Sequence, residues 1–467
     1  MVINKQIFIR SKNNQTVANK RVESTALVGL VCLMMFMPLK ADKPNVILVM
    51  SDDQGWSQTG YYGHPIAKTP NLDEMAKSGL RMDRFYSGAP FCVPTRATVL
   101  TGRTNERTGV LPSGAMNKQE KTLATAFREA GYATGHFGKW HLSGAADLRD
   151  TAVPASNPYN PGEHGFDYWL SKSIQFNLNP ILSRNGVIEQ FEGDGSEVIV
   201  DEALKFIAGA TKKKKPFFVL VWYSTPHRDF EASKEDLAPF LGKTDDSSAT
   251  QLGELFAMDR SLGTLRQGLK DLGIAKDTLV WFTSDNGGLP DIAYRPDLPG
   301  VHPDTTGHLR GFKKDLYEGG LRVPTIIEWP DTIEHRVSHY PSGTIDIFLT
   351  LIDIAGLDPN SINAVNDGVS LAPVFKNEEP PRREKPMGFR VNAGRAWLDN
   401  DWKLVRNYTS GQDDPYELYN VVGDPSESND LIKQRPDIAA RMMKDFSAWN
   451  ASVDRSSSGH DYPRLDK

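Results

Sequence analysis

Asn45-Val46-Ile47-Leu48-Val49-Met50 leads directly into Ser51-Asp52-Asp53-Gln54-Gly55. A short apolar, β-branched run bounded by polar residues reads as a strand buried on both faces, as parallel strands are. In open α/β sheets, ligands gather beyond the carboxyl ends of such strands. Adjacent acids crowded there repel each other unless a cation lies between them. Asp52 and Asp53 therefore suit a hard cation bound through oxygen. The same pair on a solvated turn would do nothing.

The pattern repeats along the chain. Gly131 to Phe137 reads as a strand that delivers Lys139 and His141, and Pro216 to Tyr223 as one that delivers His227. Thr278 to Thr283 ends in Asp285 and Asn286, and Thr325 to Glu328 adds a further strand. Helical patterns lie between them, from Pro70 to Gly79, Lys121 to Ala130, Glu197 to Gly209, about Gln251 to Leu272 and Thr344 to Ala355. This alternation predicts an α/β fold: a large mixed, mainly parallel sheet sandwiched by helices. Met82 to Tyr86 reads as a short strand. Ala145 to Gln190, rich in Pro, Asn and Gly, reads as a long surface excursion. Beyond Asp358 come Pro-rich linkers, strands at Arg395–Leu398 and Trp402–Val405, and an amphipathic helix from Pro436 to Trp449. The expected division is a catalytic domain over 42–357 and a smaller C-terminal α+β subdomain, antiparallel sheet plus helix, over 358–467.

The 467 residues are 39% hydrophobic and 24% charged, with a formal charge of −5, so no nucleic-acid partner is expected. Lys212 to Lys215 is a solvated turn. At the N-terminus, Lys5, Arg10, Lys12, Lys20 and Arg21 precede an apolar run from Ala26 to Met37, and Ala41 supplies a small exit residue. This is the pattern of a signal peptide over 1–41, with an apolar run too short for a stable membrane span. The expectation is an exported protein, periplasmic or extracellular. Cys32 would leave with the leader, which makes Cys92 the only cysteine of an exported chain. An unpaired thiol in an oxidising compartment is a liability unless chemistry consumes it.

Cys92 opens Cys92-Val93-Pro94-Thr95-Arg96, which leads into Ala97-Thr98-Val99-Leu100-Thr101-Gly102-Arg103. The spacing predicts a helix starting just after Cys92, with Pro94 in its first turn and Gly102 as its stop. Arg96, four residues on, projects toward Cys92. Free N–H groups at the helix start and the Arg96 charge together invite a tetrahedral anion.

At this point the chain resembles the type I, formylglycine-dependent sulfatases of the alkaline-phosphatase superfamily. The resemblance runs from Pro44 to about Trp449. It is carried by Cys92-Val93-Pro94-Thr95-Arg96 with Leu100-Thr101-Gly102-Arg103, by Gly138-Lys139-Trp140-His141-Leu142, and by Tyr317-Glu318-Gly319-Gly320-Leu321-Arg322-Val323-Pro324. Val93 stands where a serine is common. The resemblance implies that a formylglycine-generating enzyme oxidises Cys92 to formylglycine. It also implies that one Ca²⁺ is held by Asp52, Asp53, Asp285, Asn286 and the modified Cys92 side chain. Arg96 would steady the aldehyde hydrate, and Lys139, His141, His227 and Lys313 would surround the transferred sulfate. Lys313 is preferred to Lys314 because it lies four residues before Tyr317. In the implied mechanism a hydrate hydroxyl attacks sulfur, His227 protonates the leaving alcohol and His141 deprotonates the second hydroxyl to expel sulfate.

The substrate expected is a sulfated polysaccharide or its oligosaccharides, a marine galactan such as carrageenan or a glycosaminoglycan. A phosphonate or phosphate ester hydrolase of the same superfamily and a non-catalytic glycan-binding homologue are the alternatives. Ala145 to Gln190, Tyr294 to Arg310 and Phe389 to Arg395 are candidate pocket walls. His308, Arg310, Arg390 and Arg395 are candidate contacts to neighbouring anionic groups.

Overall fold

Strand β1 (Asn45–Ser51) lies inside the main sheet, with every residue after Asn45 buried. The computed structural model describes residues 43–110, 115–144, 151–290, 305–408 and 414–463. The expected signal peptide and parts of two expected pocket walls, 145–150 and 294–304, lie outside the described residues. Along the chain follow β2 (Leu80–Met82), β3 (Phe85–Tyr86), β4 (Ala133–Lys139), β5 (Tyr168–Lys172), β6 (Ile181–Arg184) and β7 (Val187–Gln190). Then come β8 (Phe217–Trp222), β9 (Thr278–Ser284), β10 (Ile326–Glu328), β11 (Arg336–Ser338) and β12 (Ser342–Gly343).

Ten strands form one sheet in the order β11-β2-β10-β9-β1-β8-β4-β5-β6-β7. The run β9-β1-β8-β4-β5 is parallel, while β10 is antiparallel to both β9 and β2. Parallel pairing aligns the carboxyl ends of these strands on one edge. Ser51 stands opposite Ser284, and Trp222 stands opposite both Met50 and Gly138. The polar residues that follow each strand therefore meet.

Alternation within β1 divides the core. Val46, Leu48 and Met50 pack on one face with α2 (Cys92–Thr101), α3 (Leu123–Glu129) and the helix Ile347–Ala355. Ile47 and Val49 pack on the other with α1 (Pro70–Ser78), α4 (Gly195–Lys212) and the helix Asp246–Asp271. The α/β sandwich expected from the sequence is what the chain adopts.

Three local readings are corrected. The stretch from Ala145 to Gln190 is more than a loop, because β5 adds parallel to β4 and β6–β7 extend the sheet as an antiparallel hairpin. Its turn is Asn185-Gly186, with φ of 49° and 93°, the left-handed pair that a two-residue hairpin loop requires. That dipeptide was the available signal, masked by the shortness of the four-residue strands around it. Cys92 is the first residue of α2, one position further in than the spacing implied, and Gly102 ends the helix with φ 65°. The last helix runs from Pro436 to Ser457, well past Trp449.

The C-terminal sheet has the antiparallel order β13 (Met387–Val391), β14 (Gly394–Asp399), β15 (Trp402–Arg406) and β16 (Glu417–Asn420). One face, with Phe389, Ala396, Leu398, Val405 and Tyr419, packs on Tyr86, Leu316, Tyr317 and Leu321. The other, with Trp397, Leu404 and Leu418, is covered by the helix Pro436–Ser457. An ion network is buried within the same unit. Lys403 Nζ lies 3.0 Å from Glu318 Oε1 and 3.0 Å from Glu427 Oε1, with all three side chains fully buried. Glu427 Oε2 also accepts the Glu318 N–H at 2.6 Å. Burial pushes the Glu427 carboxyl up to about 7, opposed by Lys403 and reinforced by Glu318.

Removing one member of such a network leaves buried charge uncompensated. Lys403→Met is therefore expected to cost about 3–5 kcal/mol in urea unfolding. A second expectation concerns acid. His164 is buried with Nε2 unpartnered, and burial, then Lys118, pulls its pKa from 6.5 to about 4. Its contribution to stability is complete above pH 6.5 and is lost on acidification, because the unfolded chain then takes a proton that the folded chain refuses. Between pH 7 and pH 5 the unmodified chain is expected to lose about 2 kcal/mol more than His164→Gln.

Candidate active site

Apart from Lys313, which the loop before Glu318 supplies, each clustered side chain follows from a strand end or a helix start. The Asp52 N–H donates to Thr225 O at 2.9 Å, tying the end of β1 to the loop after β8 that carries His227. Asp53 takes a left-handed φ of 65°, and its N–H donates to Asp285 Oδ1 at 3.1 Å. The loop after β9 is held from behind: Gly287 N–H donates to Gly320 O at 3.0 Å. A Cβ on Gly287 would sit 1.8 Å from Gly319 O, so only glycine allows this contact. The Glu318-Gly319-Gly320 turn thus braces Asp285 and Asn286.

Cations surround the acids. Arg96, fully buried, donates from Nη2 to Asp285 Oδ2 at 2.7 Å and lies 3.6 Å from Asp52 Oδ2. Its Nη1 donates to Lys139 O at 3.0 Å. Lys139 Nζ bonds Asp52 Oδ2 directly. Lys313 Nζ stands 2.6 Å from Asp53 Oδ1, and His227 Nε2 stands 3.7 Å from Asp53 Oδ2. Asn286 Nδ2 donates to Asp53 Oδ1 at 2.8 Å. Cys92 Sγ and one carboxylate oxygen each of Asp52 and Asp285 all lie within 4.8 Å of one another.

The electrostatics follow from burial and crowding. Burial would raise the Asp52 carboxyl, but Lys139, His227, Arg96 and Lys313 together hold it well below the usual range. Burial and the Asp52 charge push Asp285 up to about 7 against the pull of Arg96. Burial lowers both His141 and His227, with Lys139 the next cause in each. Burial raises the Cys92 thiol, against Lys139 and Lys313. An unmodified Cys92 is therefore a neutral thiol at pH 7, a poor nucleophile.

The donor set fits a hard cation. Asp52 Oδ1 and Asn286 Oδ1 are buried without a hydrogen-bond partner, an uncommon and costly state for such oxygens. With the carboxylates of Asp53 and Asp285 they supply only oxygen donors, the kind Ca²⁺ takes.

The structure brings Asp52, Asp53, Cys92, Arg96, Lys139, His227, Asp285, Asn286 and Lys313 into this cluster. His141, with φ 54°, leads away from the end of β4 with Nδ1 unpartnered, and its charge interactions include Lys139, Arg96 and Asp52. The four expected substrate contacts have other partners. Arg310 lies 3.7 Å from the Tyr317 ring centroid and donates to Tyr419 Oη at 2.9 Å, so it brings Tyr317 and β16 together. Arg390 pairs with Asp454 at 2.7 Å and Glu106 at 3.5 Å, which commits it to the final helix. Arg395 donates to Asn392 O and Gly394 O within its own hairpin. His308 is exposed, edge-on to Trp56 at 5.3 Å. Sequence reasoning missed Lys403 and Glu427 as supports of the Glu318 turn. A lone lysine in an alternating strand carries no signal of a partner 85 residues away along the chain.

A family description for Sulfatase matches residues 44–357, and one for N-sulphoglucosamine sulphohydrolase, C-terminal, matches residues 307–450. The chain belongs to the sulfatase family, within the alkaline-phosphatase superfamily. It is 33% identical over 368 residues to the N-acetylgalactosamine-6-sulfatase of Canis lupus familiaris, covering 71% of this chain and 66% of that protein. The chain thus spans just under two thirds of that relative's length. It is 26% identical over 421 residues to the ulvan-active sulfatase of Formosa agariphila, covering 84% of this chain and 77% of that one. Among solved structures, Ps i-CgsB in complex with k-i-k-neocarrahexaose matches with a TM-score of 0.77 at 27% identity, covering 87% of this chain and 92% of that one.

Ca²⁺ added to EDTA-treated protein is expected to raise its thermal midpoint, by about 2.7 kcal/mol of stability at a hundredfold excess over Kd. Asp52→Asn is expected to remove most of that gain in the same differential scanning measurement.

Proposed function

We propose that this chain is a calcium- and formylglycine-dependent sulfatase that releases sulfate from a sulfated polysaccharide or its oligosaccharides. The observation that carries the reading is the pair of orphaned, buried oxygens, Asp52 Oδ1 and Asn286 Oδ1, in a cluster where carboxylate oxygens of Asp52 and Asp285 lie within 4.8 Å of Cys92 Sγ at the start of α2. A thiol is a poor ligand for a hard cation, whereas an oxygen-bearing side chain at position 92 would complete the oxygen donor set. The family supports the sulfate ester, and the names of the ulvan and carrageenan relatives support a glycan.

Bound Ca²⁺ would neutralise the crowded carboxylates and add positive charge opposite the sulfuryl oxygens. Formylglycine at position 92 would supply an oxygen nucleophile that is regenerated as aldehyde after sulfate leaves. The remaining roles belong to residues as they stand. Arg96 fixes Asp285 and stands near residue 92. Lys139 and Lys313 present two ammonium groups to the charge that builds on sulfate. His227 is the donor to the leaving alcohol; burial and then Lys139 lower its pKa, and an arriving sulfate offsets the Lys139 charge. His141, held neutral and with Nδ1 unpartnered, is the base.

Protein co-expressed with a formylglycine-generating enzyme is expected to release sulfate from 4-nitrophenyl sulfate and from carrageenan, ulvan or chondroitin sulfate oligosaccharides. Cys92→Ala is expected to reduce release to background, and His141→Ala to lower kcat by about 10²–10⁴-fold. No release from any of these, with mass spectrometry showing the aldehyde at residue 92, would overturn the reading. It would turn attention to phosphonate esters or to a binding role.

A further inference from the structure

A second cavity of about 420 Å³ shares two chain segments with the catalytic centre. Its lining includes Phe91, Lys314, Leu316, Val391, Asn392 and Tyr408. Phe91 immediately precedes Cys92, and Lys314 immediately follows Lys313. The two segments are joined where Lys314 N–H donates to Pro90 O at 2.7 Å. The remaining walls come from the β13–β14 turn and the end of β15 in the C-terminal unit.

Lys314 has φ of 82°, a left-handed conformation that a lysine adopts at a cost of about 1–2 kcal/mol. Lys313 turns inward to Asp53, while Lys314 lines the cavity and is exposed. Among the described residues, Lys314 Nζ, the Asn392 side-chain amide and Tyr408 Oη make no hydrogen bond or ion pair. Tyr408 is 40% exposed, a large aromatic surface left open at the rim. An open aromatic face, apolar walls, a free amide and one free cation are what an anionic sugar needs. The volume falls within the roughly 300–1,000 Å³ of small-molecule sites.

We propose that this cavity is the subsite for the sugar next to the one desulfated, and that Lys314 pairs there with that sugar's anionic substituent, sulfate or carboxylate. The inference rests on the sulfatase reading and deepens it. It makes the preferred substrate a glycan charged on consecutive residues, and it assigns that preference to the lysine that does not reach the catalytic carboxylates.

The test separates binding from turnover. In the Cys92→Ala background, calorimetry would measure binding of iota-carrageenan oligosaccharides (neighbouring sulfate), chondroitin sulfate oligosaccharides (neighbouring uronate) and kappa-carrageenan oligosaccharides (neutral neighbour). Lys314→Gln is expected to weaken either the first or the second about 10-fold, to leave the third unchanged, and to be rescued by Lys314→Arg. Which one weakens identifies the anion. In the aldehyde-bearing enzyme the same variant is expected to raise KM for that glycan and leave 4-nitrophenyl sulfate turnover unchanged. Tyr408→Ala, at an open rim where folding is not at stake, is expected to weaken binding of all three. Equal weakening of all three by Lys314→Gln, no weakening of any, or no binding of any to the Cys92→Ala protein would overturn the subsite. Absent turnover with intact, Lys314-dependent binding would instead overturn the sulfatase reading alone.

Discussion

Three carboxylates, Asp52, Asp53 and Asp285, meet at one buried sheet edge, and the surrounding structure answers that crowding. Like charges about 4 Å apart repel by about 4 kcal/mol at an effective dielectric of 20. Arg96, Lys139 and Lys313 are drawn onto the acids in compensation. The balance is incomplete, because Asp285 is pushed up to about 7 and two oxygens stay unpartnered. That residue of unmet charge and unmet hydrogen bonding is what suits the site to a cation. The cations that hold the acids are the groups a sulfate would meet.

The same constraint explains why the C-terminal unit is part of the site. Asp285 and Asn286 are held by a backbone contact too close for any side chain, between Gly287 and the Gly319-Gly320 turn. That turn follows Glu318, whose carboxylate is buried against Lys403 and receives the Tyr86 hydroxyl at 2.9 Å. Arg310 stacked on Tyr317 adds a further link to β16. The Tyr317 to Pro324 signature therefore braces the site from behind.

Legibility in the sequence followed the range of the interactions. β1, β8 and β9 were readable because strands buried on both faces must be continuous apolar runs, and their polar sequels mark the ligand edge. The motifs around Cys92, Lys139 and Tyr317 were readable because each needs several residue types at fixed spacing. The strands between Tyr168 and Gln190 were obscured, since strands of four or five residues carry little periodicity and only Asn185-Gly186 marked the hairpin. Arg310 and Arg390 looked free for substrate because a sequence does not show an arginine's partners. Their acids and rings lie far away along the chain, as with Asp454 for Arg390.

The sequence by itself determined the fold class, the polar residues at the strand ends and the place of Cys92 at the start of a helix. Each of these depends on local patterning, apolar period, turn chemistry and motif spacing, which neighbouring residues dictate. Only the tertiary structure decided that Lys314 lines a second cavity, and that Asp52 Oδ1 and Asn286 Oδ1 are left without partners. The same holds for Lys403 of the C-terminal sheet, which closes the network behind the site. Those outcomes depend on which distant segments share one buried volume, and there the low dielectric makes each charge answer to its neighbours in space rather than in sequence.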